Sequence, residues 1–309
     1  MLVTTEQHHD LPSGLASRPL TLADLDAVFA VYAAAEIEDA GQLALEPEDL
    51  AGDWSRPSFD LSTDSIGVLE GDRFVGAAEV TRGGARAEGA VHPQARGRGI
   101  GSWLVGWTEE RAAAVGAATV GQTVPDGSAA QRLLLGRGYR LGHTSWVLEL
   151  PAGREVPERP LPPGHAIATG GSTERERGAH RVIQDAFDEW EGRGRDSFED
   201  WAATTVRRPG AEVWQLRVVE HDGVVVGASF TLVDSQGVGY VDQLAVERSH
   251  RGQGLAQALL ADAFGRARDH GATRSELSTD SRTGALDLYL KVGLEVTQVW
   301  THLTTDLPR

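Results

Sequence analysis

The chain contains an internal repeat, because a displacement of 155 positions places the second half of the sequence on the first. The segment "AVHPQARGRGIG" from Ala90 then coincides with "AVERSHRGQGLA" from Ala245, and both contain Arg-Gly-x-Gly at the same place. The register continues without a gap until Gly138 meets Gly293. A fixed internal period marks a repeated structural unit, so we expect two similar domains.

A segment at the middle of the chain separates the two copies. Residues 151–163, "PAGREVPERPLPP", are rich in proline and charge and lack apolar periodicity, which is typical of a linker. We therefore predict an N-terminal domain at 1–150, a linker at 151–163 and a C-terminal domain at 164–309. The total length of 309 residues is consistent with two domains.

Both halves show the same order of predicted elements. In the first half, "TLADLDAVFAVYAAAE" has helical spacing, and a hairpin turning at Gly71 and a strand ending near Val91 follow it. In the second half, turns at 221–223 and 234–237 separate three strands before a helix begins near Gly254. The predicted fold class is α/β of the α+β type: two domains, each a mixed, mostly antiparallel sheet flanked by helices.

Composition excludes several classes of function. A net charge of −16 argues against a nucleic-acid partner, and the absence of cysteine excludes disulfides and thiolate metal sites. The chain has no long apolar run and no secretory signal pattern at its start, so we expect a cytoplasmic protein without a membrane partner. Its histidines form neither H-E-x-x-H nor a close His/Asp cluster in sequence, and no metal site is expected.

The glycine-rich turn has the chemistry of an anion site. A strand that enters a helix through Arg-Gly-x-Gly leaves free amides at the positive end of the helix dipole, and glycine lets an anion approach them. Arg96, Arg98 and Arg251 add cationic donors. The turn lacks the Gly-Lys-Ser/Thr of a Walker loop, and Ser102 and Gln257 replace the third glycine of a dinucleotide fingerprint. A plain helix cap would explain one copy, whereas two copies in register favour pyrophosphate binding.

These residues resemble a known family. "VHPQARGRGIG" resembles the acyl-CoA pyrophosphate loop of the GNAT acetyltransferases, and "VERSHRGQGLA" resembles a variant of that loop. Downstream, "DSRTGALDLYLKVGLEV" is similar to a later signature of the family, in which a tyrosine precedes a glycine by four residues. The resemblance is strongest over 89–139 and 244–294, and two such domains in one chain are similar to tandem members of the family.

The resemblance implies acetyl-CoA, or another acyl-CoA, as co-substrate. The strand before each loop would pair with the pantetheine arm, and the loop amides would hold the pyrophosphate. The implied cofactor-binding residues are Gly89, Ala90, Val91, Arg96, Gly97, Arg98, Gly99, Ile100 and Gly101 in the first half, and Leu244, Ala245, Val246, Arg251, Gly252, Gln253, Gly254, Leu255, Ala256 and Ser281 in the second. A neutral amine would attack the thioester directly, which requires no metal.

The resemblance also implies two catalytic residues in the second half. Tyr289 stands where the family can place an acid that protonates the departing thiolate, whereas the first half has Leu134 there. Asp242, on the strand before the loop, is the candidate general base, and its equivalent is Ala87. A packed aromatic ring and a solvated strand carboxylate are the alternative interpretations of Tyr289 and Asp242.

Other candidates are less specific. His250 and Glu88 are weaker candidates for the base. In this fold the first helices and their loop usually recognise the acceptor, and the corresponding segment here is rich in aromatic and acidic residues. Those residues are Trp190, Trp201, Asp188, Glu189, Glu191 and Asp200. Tryptophan on an amphipathic helix is more often core, and surface acids are more often solvated.

The predicted function is therefore that of an acetyltransferase. The C-terminal domain would transfer an acetyl or short acyl group to a primary amine of a small molecule or peptide, and the N-terminal domain would retain the loop without the acid. A non-catalytic acyl-CoA sensor is the alternative, and catalysis in both domains is a third possibility. We expect a monomer with two similar halves or a homodimer.

Overall fold

The computed structural model describes residues 10–189 and 194–308 and divides the chain into two compact units. The N-terminal unit comprises Met1–Trp54, Ser58–Gly142 and Thr301–Arg309, and the C-terminal unit comprises Ser55–Pro57 and His143–Trp300. The domain boundaries at 150 and 164 come from the sequence repeat and stay a prediction.

The N-terminal unit is a mixed sheet with helices. Its strands are β1 Ala16–Arg18, β2 Ser65–Glu70, β3 Arg73–Thr81, β4 Arg86–Val91, β5 Thr119–Pro125 and the first residues of β6 Arg140–Glu149. Its helices are α1 Leu25–Ala40, α2 Pro47–Trp54, α3 Leu61–Asp64, α4 Ile100–Ala114 and α5 Ala129–Gly136. Strands β1 to β4 pair antiparallel, and β4 pairs with β5 in parallel.

The C-terminal unit repeats this order. Its strands are β7 His165–Thr169, β8 Leu216–His221, β9 Val224–Val233, β10 Val238–Val246, β11 Arg274–Asp280 and the first part of β12 Glu295–Asp306. Its helices are α6 Thr173–Phe187, α7 Phe198–Thr204, α8 Leu255–Asp269 and α9 Leu286–Lys291. Strands β7 to β10 pair antiparallel, and β10 pairs with β11 in parallel. The predicted fold class is confirmed in both units.

Successive strand residues point to opposite faces of a sheet, and in each unit both faces carry buried apolar side chains. In the C-terminal unit, Val218 packs in the cluster that contains α6 and α7, whereas its neighbour Val219 packs with α8. In the N-terminal unit, Ala77 packs in the cluster that contains α1 residues, and its neighbour Ala78 packs with α4. Covering helices on both faces explain why the central strands are almost continuously hydrophobic.

The helices themselves are short. The longest in the described ranges, α1, has 16 residues. Within residues 10–189 and 194–308, no helix has the length and apolar character that a membrane crossing requires.

Two long strands have residues in both units. In the C-terminal unit, Ser145–Glu149 of β6 pair antiparallel with β11. In the N-terminal unit, the end of β12 runs beside β5, where Leu307 N donates to Ala118 O at 2.9 Å and Thr304 Oγ1 donates to Val120 O at 3.2 Å. The N-terminal unit therefore includes the end of β12, which follows the C-terminal unit in sequence.

Candidate active site

The glycine turn has the same backbone conformation in both units. Gly99 and Gly254 have φ angles of +86° and +87°, and Gly97 and Gly252 both have +76°. These angles lie in the left-handed region, where a side chain is strained, so glycine is required at each position. Helices α4 and α8 begin directly afterwards, and neither has a side-chain cap among the described residues. The amides of the first turn therefore lack intrahelical acceptors and suit an anion.

The first arginine of each turn anchors the loop. Both terminal nitrogens of Arg96 donate to Asp39 at 2.8 Å, and those of Arg251 donate to Glu189 at 2.8 and 2.9 Å. Each Nε donates to a carbonyl at the end of the preceding strand. The sequence predicts that these guanidinium groups donate to phosphate, whereas in the structure the terminal nitrogens of each one already donate to a carboxylate. Phosphate recognition by these loops would rest on the backbone amides.

The other predicted loop residues contribute mainly backbone. Arg98 is exposed and its guanidinium pairs with Glu70 at 2.8 Å. Ile100 and Leu255 are buried at the start of α4 and α8, so their side chains belong to the core. Gln253 is exposed between the two glycines of the second turn.

The parallel strands separate just before each loop. Strand β10 pairs with β11 from Val238 to Val241, while Leu244 to Val246 remain paired with β9 on the other side. In the described part of the N-terminal unit, the ladder between β4 and β5 is the single pair of Arg86 with Gly121. Arg86 and Val241 are equivalent in the repeat, so both sheets open at the same position. An open strand edge can form backbone hydrogen bonds with an extended ligand.

Asp242 lies at a β-bulge. The register between β9 and β10 passes from Val241 opposite Thr231 to Gln243 opposite Phe230, so Asp242 is the extra residue. Its side chain is exposed. Bulges redirect side chains and are frequent beside active sites. In the N-terminal unit, β3 and β4 pair in continuous register, and the equivalent Ala87 is buried.

Tyr289 lies on α9 within the core of the C-terminal unit. Its side chain is 7% exposed and packs in the cluster that contains Leu148, Phe264 and Leu277. The hydroxyl makes no hydrogen bond to any described residue. Burial raises the pKa of Tyr289 to about 12, which keeps the phenol protonated. At the equivalent position on α5, Leu134 is also buried.

The two halves of the chain match one family model. Residues 31–139 and 177–294 each match the model described as the Acetyltransferase (GNAT) family. The chain belongs to the GNAT acetyltransferase family. One match falls in each half, which confirms the tandem arrangement that the repeat predicts.

Individual GNAT proteins extend this result. A protein of Sanguibacter keddieii named mycothiol acetyltransferase is 30% identical over 306 residues, covering 94% of this chain and 93% of the relative. A GCN5-related N-acetyltransferase structure from Sphaerobacter thermophilus has a TM-score of 0.74 at 27% identity, covering 97% and 98% of the two chains. A tandem GNAT protein from the clavulanic acid biosynthesis pathway has a TM-score of 0.72 at 20% identity, covering 96% and 99%. The chain is thus an acetyltransferase enzyme with two GNAT domains.

The segment expected to recognise the acceptor is largely packed or paired in this GNAT protein. Trp201 is 3% exposed in the core, and its indole N–H donates to a side-chain amide on β10 at 2.8 Å. Asp200 accepts from the serine that caps α7, and Asp188 pairs with an arginine at 3.4 Å. Trp190 and Glu191 lie outside the described residues. The described members therefore favour the packing interpretation over an acidic aromatic pocket.

The linker supplies a residue that the sequence analysis missed. Gln257 of α8 donates to Pro157 O at 2.7 Å, and Val156 is buried against the same unit. These contacts place the side chain of Arg159 over Gly254, where a Cβ on the glycine would overlap it. A guanidinium group thus lies beside the second glycine turn. The sequence signal that could have indicated an ordered linker is Val156, an apolar residue within a charged, proline-rich stretch.

Among the described residues of the N-terminal GNAT domain, a proline stands at the equivalent place instead of a cation. A Cβ on Gly99 would meet Pro12 Cγ at 3.4 Å, so a proline ring occupies the position that Arg159 takes in the C-terminal unit. The two glycine turns have the same backbone but different surroundings, and the charge beside the second turn favours a phosphate ligand there.

Three remaining candidates lie near the strand ends. Ser281 follows β11, where its Oγ accepts from Thr144 N at 3.3 Å. Glu88 is exposed on β4 and pairs with an arginine. His250 lies close to His165 and His221, with one ring nitrogen of each within 4.8 Å of the others. The sequence has no H-E-x-x-H and no close His/Asp cluster, but the fold brings together three histidines that are distant in sequence.

Proposed function

We propose that this protein transfers an acetyl group from acetyl-CoA to the primary amine of a small molecule, and that the C-terminal unit catalyses the reaction. One observation carries the proposal. Both units have an open strand edge and a glycine turn, but the C-terminal unit combines them with the bulged carboxylate Asp242 and the buried phenol Tyr289. The N-terminal unit has Ala87 and Leu134 instead.

Three features of the C-terminal unit support acyl-CoA binding there. The free edge of Leu244 to Val246 would pair with the amides of the pantetheine arm. The pyrophosphate would bind the amides of residues 252–256 at the start of α8, with Arg159 adding positive charge. The thioester would then lie near the point where β10 and β11 separate.

The proposed reaction is a direct acyl transfer. The amine nitrogen attacks the thioester carbonyl carbon, a C–N bond forms, and the C–S bond breaks. Tyr289 donates its proton to the sulfur of the departing CoA. Asp242 accepts the proton that the attacking amine loses, directly or through a water molecule. The products are an amide and free CoA.

An assay with a panel of amines tests the proposal. One relative is named mycothiol acetyltransferase. The first acceptor to test is therefore the amine that becomes mycothiol on acetylation. The acetylated product is measured by mass spectrometry, and the released CoA by chromatography. Binding of acetyl-CoA without turnover on any amine in the panel would instead support an acyl-CoA sensor.

Asp242→Asn is expected to lower kcat/KM for the amine about 10-fold at neutral pH, because the base is lost. The loss should shrink as the pH rises, since an already neutral amine depends less on a base. Steady-state rates between about pH 7 and 9.5 measure the effect. The control is Asp269→Asn, which changes another exposed carboxylate of the same unit. Equal rates for Asp242→Asn and wild type would identify Asp242 as a solvated strand residue.

The raised pKa of Tyr289 predicts the shape of the pH profile. A proton donor must be protonated, and burial raises its pKa to about 12, so activity is lost only as the pH rises through that region. We expect kcat to show no alkaline decline between about pH 8 and 10. An alkaline limb in that range, with the protein still folded by circular dichroism, would contradict a buried tyrosine as the acid.

A further inference from the structure

Three histidines of the C-terminal unit meet beside the glycine turn. His165 is the first residue of β7, His221 is the last residue of β8, and His250 lies in the short turn before Arg251. One ring nitrogen from each lies within 4.8 Å of the others. The two rings of His165 and His221 stack with centroids 4.3 Å apart and an angle of 22°. The side chains thus converge from three separate elements.

We propose that this cluster binds a divalent transition-metal ion, with Zn²⁺ as the ion that fits it. His165 Nε2 and His250 Nδ1 lie 3.2 Å apart. Two nitrogens that bind one zinc at about 2.0–2.1 Å with a tetrahedral angle lie roughly 3.3 Å from each other. The spacing already present therefore matches one edge of a zinc coordination tetrahedron. His221 is stacked on His165, so its ring would have to rotate out of the stack to direct a nitrogen at the same ion.

The surroundings of His165 orient it as a metal ligand. Its Nδ1 lies 3.2 Å from Pro163 O, and a carbonyl can only accept, so Nδ1 carries the proton and donates it. The lone pair of Nε2 then points toward His250. A ligating histidine typically donates its other ring N–H to a backbone carbonyl or carboxylate, which fixes the ring and the tautomer. Here the backbone provides that partner.

The charge and accessibility of the cluster also suit a cation. All three rings are partly buried, and the carboxylate of Asp222 lies 3.8 Å from His221 Nε2. Three histidines leave a fourth zinc position for water, a pattern found in open zinc sites. Imidazole nitrogens select zinc, copper and nickel over magnesium and calcium. A bound ion would connect β7, β8 and the turn that leads into Arg251.

Zinc titration of the full-length protein, prepared without a polyhistidine tag and stripped with a chelator, tests the proposal. Calorimetry should show one Zn²⁺ per chain at the cluster, and Zn²⁺ should raise the melting temperature. His221→Gln should weaken this binding at least about 100-fold and abolish the rise in melting temperature. The matched control is His270→Gln, which removes a histidine of the same unit outside the cluster and should leave the site intact.

Two results would overturn the site. The first is that Zn²⁺ does not bind, or that it binds wild type and His221→Gln equally tightly. The second is an X-ray absorption spectrum of the zinc-loaded protein without imidazole scattering. If circular dichroism shows that His221→Gln does not fold, His250→Gln, on the turn outside the strands, gives the same comparison.

Discussion

Tyr289→Phe is expected to lower kcat by about 10²- to 10³-fold while the KM for acetyl-CoA changes less than about 2-fold. Phenylalanine keeps the ring that packs against Leu148 and Phe264, and the tyrosine hydroxyl has no hydrogen-bond partner among the described residues. The substitution therefore removes the proposed proton donor without removing a structural contact. The melting temperature should stay close to that of the wild type.

The control for this result is Tyr139→Phe. Tyr139 is likewise buried, and burial raises its pKa well above the usual range, but it lies in the N-terminal unit. Its loss should leave kcat unchanged. If Tyr289→Phe retains full kcat, Tyr289 is a packed aromatic residue, and the proton of the leaving thiolate comes from another source. Leu134→Tyr extends the comparison, because it places a phenol at the equivalent position of the other unit.

Gly254→Val is expected to weaken acetyl-CoA binding by the C-terminal unit at least about 30-fold. The φ angle of Gly254 is +87°, and a left-handed residue with a Cβ costs about 1–2 kcal/mol. Valine would also displace Arg159 from the glycine turn. Strain and the lost cation act on the same amides, so turnover should fall together with binding.

Gly99→Val is the matched substitution in the N-terminal unit. Its φ angle of +86° produces the same backbone strain, while its neighbour is Pro12 instead of an arginine. Calorimetric titration of acetyl-CoA into wild type and both variants counts the sites, and the double variant Gly99→Ala/Gly101→Ala repeats the test with smaller side chains. A fall from two sites to one in the N-terminal variants would show that both loops bind. Lost turnover in Gly99→Val with normal turnover in Gly254→Val would assign catalysis to the other unit.

Local features of the fold are predictable from the sequence. The glycine turns follow from neighbouring residues alone, since a positive φ and a strand that enters a helix need no distant partner. The repeat then fixes the same order of elements twice. By contrast, the ion pairs of Arg96 with Asp39 and of Arg251 with Glu189 depend on which helix faces each loop. That contact is tertiary, so the sequence alone does not show that a carboxylate already binds each guanidinium.

The sequence shows which residues differ between the two sites, but the geometry of Asp242 is visible only in three dimensions. The two halves align without a gap through Asp242, so nothing in the sequence indicates that this residue is a bulge. The extra residue appears when β10 is paired against β9, where two positions of one strand face one of the other. The histidine cluster arises in the same way, because strand pairing joins His165 to His221 and the turn adds His250.

The placement of residues 301–308 in the N-terminal unit determines when that unit can finish folding. Residues 301–308 follow the C-terminal half in sequence, so a ribosome releases the rest of the N-terminal unit well before it adds the strand that runs beside β5. Until then β5 has an open edge, and exposed edges of nascent sheets are prone to wrong pairing. The N-terminal sheet therefore cannot be completed before the C-terminal half has been synthesised, and the two domains cannot mature strictly one after the other, as independent modules do.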